Sequence, residues 1–242
     1  GGRSSDWLYA SLSLQWMYNK SAAARATFQR AGYYAEEHGD VKVIALNTNL
    51  AYHFNVWRLL YYPDPDPEGQ LQWLSTELDA SAVASQPVII IGHSPPGQRD
   101  ISRPWTRQFL RLVRRHRPII KAMLFGHTHY DSFIAYRYPR HVAIISPSVT
   151  TWLGTRPAYR ILELNGDRLD HSTFIMNLTD GQWRKEYDFT VTGDLHSAFL
   201  DYVDLLNRDE AARDTFIARY FKSSNVSCNA SCSRAIQRSL VY

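Results

Sequence analysis

The chain has little cysteine and no long apolar run. Cys228 and Cys232 are its only cysteines in 242 residues. Two thiols cannot knit a disulfide-dense scaffold, and two alone make no zinc site. Their closeness near the tail allows a small disulfide-closed loop in an oxidising compartment, or a pair of free thiols. No apolar stretch approaches the roughly 18 residues that a membrane-crossing helix needs. Internal repeats and low-complexity tracts are also missing, which excludes solenoids and disordered linkers. The opening Gly1-Gly2-Arg3 carries no Met and no signal peptide and does not read as a natural start. A strong charge of one sign is lacking too: 27 Lys and Arg face 23 Asp and Glu, for a net charge of +4. The nine histidines would add positive charge below about pH 6. That favours phosphate substrates or anionic membranes as much as it favours plain solubility.

What is present suits one sizeable globular core, with 45% hydrophobic and 21% charged residues. Apolar periodicity predicts a helix over 7–30, a strand over 41–47 and a Pro-rich loop over 62–67. A helix over 68–83, a strand over 88–91 and a helix over 102–117 follow. Ser102 is a candidate N-cap and Pro104 fits the first helical turn. Arg103, Arg107, Arg111, Arg114 and Arg115 make a basic stripe on that helix, a solvated face or a lipid-contacting one. Beyond it, strands are predicted at 122–125, 131–138, 141–146, 159–165, 169–176 and 183–189. Asn165-Gly166 marks a hairpin. Helices are predicted at 194–206 and 209–221.

Two histidine motifs stand out. Gly92-His93-Ser94-Pro95-Pro96-Gly97 follows the apolar run Val88–Ile91, and Gly126-His127-Thr128-His129 follows Ala122–Phe125. A lone histidine after a strand is usually a hydrogen-bonded loop residue. Two such motifs in order, each behind a buried strand, point to chemistry at the carboxyl ends of a sheet. Residues two apart on an extended chain point to one side, about 6.5 Å apart. That spacing suits a two-metal site better than one tight site, and neutral imidazole suits Zn, Fe, Mn or Ni.

The order GHSPPG then GHTH resembles the second half of a calcineurin-like metallophosphoesterase. The flanks narrow this. Ser5–Tyr9 (SDWLY), Asn47–Asn49 (NTN), Gly69–Leu74 (GQLQWL), Phe125–Asp131 (FGHTHYD) and Ser146–Thr151 (SPSVTT) resemble the acid sphingomyelinase family, over about residues 4–232. The fold this implies is α/β: the C-terminal half of a four-layer α/β/β/α metallophosphoesterase sandwich, followed by a small helical tail. The domains would be 1–190, the C-terminal part of the catalytic domain, and 191–242, a helical subdomain. Loss of the first half would leave one face of the sheet without partners.

The resemblance implies a binuclear zinc site, with His93 and His127 on one ion and His129 on the other. The remaining ligands and the catalytic histidines belong to earlier family motifs, which this chain does not contain in family order. The chain therefore reads as a C-terminal part, inactive alone, that needs the N-terminal half of the same protein. Asp194-x-His196 and Gly39-Asp40 mimic missing motifs, but Asp194 reads as a helix N-cap and Gly39-Asp40 precedes its strand. Asp131 is expected to orient a ligand histidine, or to be a turn residue. Trp152 is expected to meet the substrate head group, or to be a packed core residue.

The implied activity is hydrolysis of sphingomyelin to ceramide and phosphocholine. A nucleotide-type phosphodiesterase of the same family and a catalytically dead secreted binding domain are the alternatives. Partners would be a phospholipid or small phosphodiester and a membrane surface, with no nucleic acid polymer. Sequons at Asn19, Asn177, Asn225 and Asn229 point to the secretory route, hence a secreted or lysosomal glycoprotein. In the related enzymes the two tail cysteines form a bridge.

Overall fold

The computed structural model describes residues 6–61, 63–166 and 168–242. Gly1–Arg3, Ser5 of the SDWLY motif and Tyr62 at the start of the Pro-rich loop lie outside the described residues. The fold is mixed α/β, with helices at its C-terminal end. It divides into two compact units, Gly1–Phe125 and Gly126–Tyr242. The boundary predicted at 190/191 falls inside the second unit, because the last helices share a core with the strands before them.

The first unit opens with α1 (Asp6–Trp16) and α2 (Ala22–Ala31), where the sequence predicts one continuous helix. Ser21 causes the break. Its backbone leaves the helical region, and its hydroxyl accepts from the Ala24 N–H at 3.1 Å. Its own N–H donates to Glu36 Oε1 at 2.8 Å. Serine competes for backbone partners in this way and so starts helices better than it continues them. Gly32 ends α2 at φ 75°, and a Cβ there would lie 2.6 Å from the Tyr9 ring. Met17, Ala24 and Phe28 form the core beneath, with Tyr9, Leu12 and Tyr34 packed on them.

Gly39-Asp40 turns between β1 (Tyr34–His38), a strand absent from the sequence prediction, and its antiparallel partner β2 (Val41–Ala45). β2 pairs in parallel with β3 (Val88–Ile91), and β3 with β4 (Ile120–Phe125). The crossovers carry α3 (Gln70–Val83) and α4 (Arg103–Arg115), as predicted to within two residues. Leu71, Leu74 and Leu78 bury one face of α3, and Trp105, Phe109 and Val113 one face of α4. Ser102 stands at the start of α4 but makes no side-chain cap. Its hydroxyl instead accepts from Arg58 Nη2 at 3.0 Å. The arginine stripe of α4 faces outward.

In the second unit, β5 (Ser132–Tyr136) and β6 (His141–Ile145) form an antiparallel hairpin. β7 (Ala158–Asn165), β8 (Arg168–Met176) and β9 (Trp183–Thr192) form an antiparallel meander. Asn165 pairs with Arg168 across the predicted turn. Three helices follow, α5 (Leu195–Arg208), α6 (Glu210–Tyr220) and α7 (Ala230–Ser239). Asp194, Asp209 and Asn229 cap them by accepting from the N–H groups of Ser197, Ala212 and Cys232. Asp194 is thus the N-cap that the sequence suggested. Phe133 meets Phe199 edge to face at 4.7 Å, with Phe189, Tyr202 and Phe216 completing an aromatic core. The chain end lies along β5, where Ala135 exchanges backbone hydrogen bonds with Leu240 and Tyr242. Cys228 and Cys232 are bonded as a disulfide.

Candidate metal centre

Gly92 sets the path of the first histidine loop. A Cβ there would lie 2.8 Å from the Phe125 ring and 3.1 Å from Thr48 Cγ2, so only glycine lets the chain leave β3 at this point. His93 follows and is exposed, while Ser94, Pro95 and Pro96 are buried. The Ser94 N–H donates to Thr48 Oγ1 at 2.9 Å. Thr48 is fixed in turn through its neighbour. The Asn47 Nδ2 amide donates both its hydrogens, one to the Tyr9 hydroxyl oxygen at 2.8 Å and one to Ala31 O at 2.8 Å. The buried Gln70 amide closes on the Asn47 backbone from both sides, accepting its N–H at 2.7 Å and donating to its C=O at 3.2 Å. The NTN and GQLQWL motifs therefore brace the loop that carries His93.

The second motif departs from the extended chain that the sequence spacing assumed. β4 ends at Phe125, and His127 and His129 take φ of 74° and 66°. The same-side, 6.5 Å estimate for an extended chain does not apply to two left-handed residues. Such conformations cost about 1–3 kcal/mol each for residues other than glycine and gather at functional sites. The neighbouring residues hold them. The Thr128 N–H donates to Gly126 O at 2.9 Å, and Tyr130 stacks on Tyr220 at 4.5 Å. The Asp131 N–H donates to Tyr220 O at 3.2 Å.

Asp131 itself is buried, and its carboxylate is taken up by Arg160, Tyr187 and Thr173. The Arg160 side chain is only 3% exposed. A hydrogen bond to a ligand histidine is therefore not the use the structure makes of this carboxylate. Asp131 anchors the segment that carries His127 and His129. Burial pushes the pKa of the Tyr187 phenol up, and the Asp131 charge adds to that.

His129 meets its surroundings through Thr150, whose hydroxyl lies 3.3 Å from Nδ1. Ser148 Oγ lies 3.0 Å from the same hydroxyl. Trp152 follows in a short 3-10 turn, Trp152–Gly154, and is 62% exposed. That removes the packed-core alternative. Its ring stands edge-on to His129 with centroids 6.5 Å apart. Leu153 and Gly154 hold the turn at φ 56° and 75°. The structure thus brings His129, Thr150 and Trp152 together in the second unit, while His93 belongs to the first. The sequence reading singled out no role for Thr48, Ser148 or Thr150. The NTN and SPSVTT motifs were the signal that could have found them.

Imidazole nitrogens are suitable donors for zinc and its neighbours in the first transition row. The number assembled is smaller than a metal centre needs. Among the described residues, no group of three or more His, Cys, Asp or Glu is placed to hold a metal ion. The donor chemistry fits and the donor count does not, so no reaction step is assigned to a metal here. The sequon residues Asn19, Asn225 and Asn229 are exposed, and Asn177 is half-buried in the turn between β8 and β9.

Residues 2–131, just over half of the chain, match the calcineurin-like phosphoesterase family. Both histidine motifs lie in the matched stretch, and the chain belongs to that family. Its relatives include sphingomyelin phosphodiesterases. It is 32% identical to the Bos taurus sphingomyelin phosphodiesterase over 259 residues, covering 96% of this chain and 41% of the relative. It is 37% identical to the Homo sapiens sphingomyelin phosphodiesterase over 193 residues, covering 74% of this chain and 30% of the relative. The Homo sapiens acid sphingomyelinase-like phosphodiesterase 3b is 30% identical, with 93% of this chain and 56% of the relative covered. The chain therefore spans less than half the length of the first two.

Proposed function

We propose that this chain is part of a secreted or lysosomal, zinc-dependent phosphodiester hydrolase of the acid sphingomyelinase type. The reaction adds water across the phosphodiester of sphingomyelin, breaking the P–O bond on the ceramide side and releasing phosphocholine. His93 and His127 are assigned to one ion and His129 to the other. The carboxylates and catalytic histidines of such a site would come from a longer polypeptide of the same protein. On this reading the 242 residues alone hydrolyse little.

The observation that carries the reading is the pairing of His129 with the exposed Trp152, ring centroids 6.5 Å apart. A phosphodiester bound on the histidine side would leave a choline ammonium beside an indole. Cations of that kind are attracted to the indole face. The membrane reading draws on the outward arginine stripe of α4. No helix among the described residues is long and apolar enough to cross a bilayer.

A second reading is a phosphodiesterase of the same family acting on nucleotide-type substrates, since the relatives include one named as sphingomyelinase-like rather than as a sphingomyelin phosphodiesterase. A catalytically silent binding domain is the third, supported by the small donor set. The deciding experiment compares the longer polypeptide with the 242-residue chain on sphingomyelin, nucleoside triphosphates and p-nitrophenyl phosphodiesters. Phosphocholine release by the longer form alone is the expected result. Preference for the nucleotide transfers the assignment to the second reading, and lipid binding without turnover transfers it to the third.

A further inference from the structure

Lys222 is among the largest fully buried side chains, at 0% exposure. Lysine almost never goes fully inside without a purpose, because its ammonium must give up water. Here its donors are met by neutral oxygens of one turn: Ser148 O at 3.2 Å, Ser148 Oγ at 3.4 Å and Thr150 O at 3.5 Å. An ammonium has three donors, and three acceptors face it. The backbone is shaped to deliver it, since Lys222 and Ser223 take consecutive left-handed φ values of 58° and 48°. The next residues lock the segment. Ser223 Oγ donates to Glu186 Oε1 at 2.5 Å, and Ser224 Oγ accepts from the Arg156 N–H at 2.8 Å.

The turn that Lys222 grips ends on His129. Ser148 Oγ contacts Thr150 Oγ1 at 3.0 Å, and Thr150 Oγ1 contacts His129 Nδ1 at 3.3 Å. We infer that Lys222 is a positioning residue, which fixes the Thr150 hydroxyl and through it the orientation and tautomer of the His129 ring. With its proton on Nδ1, donated to Thr150, the ring keeps the Nε2 lone pair for an incoming ligand. The Ser148 oxygen then accepts from both Thr150 and Lys222. Two residues beyond Thr150, the same turn presents Trp152. Burial also pushes the Lys222 pKa down to about 8, opposed by the charges of Asp131 and Glu186.

Its metal arm rests on the proposed role of His129 as a ligand, and the test separates the two. The ring nitrogens of His129 are observed by NMR in the 15N-labelled 242-residue chain at pH 7.5, with His129→Gln giving the assignment. The native chain should hold the proton on Nδ1. Lys222→Met should lose that preference, and Lys222→Arg should restore part of it. Thr150→Val breaks the relay without touching the buried lysine and carries the test if Lys222→Met does not fold. Unchanged His129 signals in Thr150→Val, or in a folded Lys222→Met, overturn the inference, as does a native proton on Nε2. Zinc titration is the second readout: saturation of the His129 signals should need about 10-fold more zinc in either variant. A tautomer that follows Lys222 while zinc leaves His129 untouched upholds the positioning role and sinks the metal assignment of His129.

Discussion

Tyr187 donates its phenolic proton to Asp131 Oδ2 at 2.8 Å, two residues beyond His129. The same carboxylate pairs with Arg160, which also donates to the Tyr187 oxygen at 3.1 Å. β7 and β9 thereby hold the foot of the histidine segment. Removing one partner of a buried pair leaves the other charge without compensation, at a cost of about 3–5 kcal/mol. Asp131→Ala should destabilise the chain by that amount in urea denaturation. Asp131→Leu combined with Arg160→Met should recover much of the loss, since neither charge then remains. Equal losses in the single and double variants would show that the pair does not act as a unit.

His171 makes the second unit sensitive to acid. Only 7% exposed, it stacks on Phe189 at 5.2 Å. Burial, then the charges of Arg160 and Arg219, depress its pKa to about 3 from an ordinary 6.5. The unfolded chain therefore binds more protons between those values. The contribution of His171 is fully present above about pH 6.5 and drains as the pH falls toward 3, at up to roughly 1.4 kcal/mol per pH unit. His171→Phe should flatten the decline in stability between pH 7 and pH 4.5, read as the difference in denaturation midpoint at the two values. A variant with the wild-type slope would mean that His171 is protonated in the fold.

Much of the scaffold was legible because apolar spacing has a simple cause. Leu71, Leu74 and Leu78 had to share a helix face, and Val88–Ile91 had to be a buried strand. Elements held by polar detail were not legible. The break at Ser21 depends on Glu36, fifteen residues away in sequence, accepting its N–H. β1, with Glu36, Glu37 and His38 in five residues, shows no apolar alternation and exists through its pairing with β2. The histidine motifs were visible as residues, yet the left-handed backbone of His127 and His129 was not, because glycine is the usual mark of such φ values. Lys222 left no sequence signal: a single lysine in a polar tail gives no sign that it is buried under Ser148.

Trp152 offers a direct check on substrate contact. An indole that receives a quaternary ammonium contributes about 0.5–2 kcal/mol. In the longer polypeptide, Trp152→Ala should raise KM for sphingomyelin several-fold with kcat little changed. Its effect on a p-nitrophenyl phosphodiester without choline should be small. Equal losses on both substrates would assign Trp152 to the shape of the turn rather than to the head group.

Metal content distinguishes a partial donor set from a complete one. Purified 242-residue protein should carry no metal, or one ion removed by a mild chelator, by elemental analysis. Two ions per chain that survive chelation would mean that carboxylates not gathered among the described residues, or a partner chain, complete the centre.

His127 tests whether the strained loop serves binding at the expense of stability. Its φ of 74° suits glycine and penalises any Cβ. His127→Gly and His127→Ala both delete the imidazole, so whatever the ring contributes is lost equally in each. They differ in that alanine keeps the Cβ clash of the left-handed region, about 1–2 kcal/mol, whereas glycine relieves it. Glycine gives back part of that gain through the larger entropy of its unfolded chain. His127→Gly should therefore be the more stable of the two by about 1 kcal/mol, the reverse of the order in a helix. Both should show the same weakened zinc uptake. If alanine is as stable as glycine in urea denaturation, the loop does not hold the left-handed backbone in solution, and the strain assigned to the histidine motif is absent.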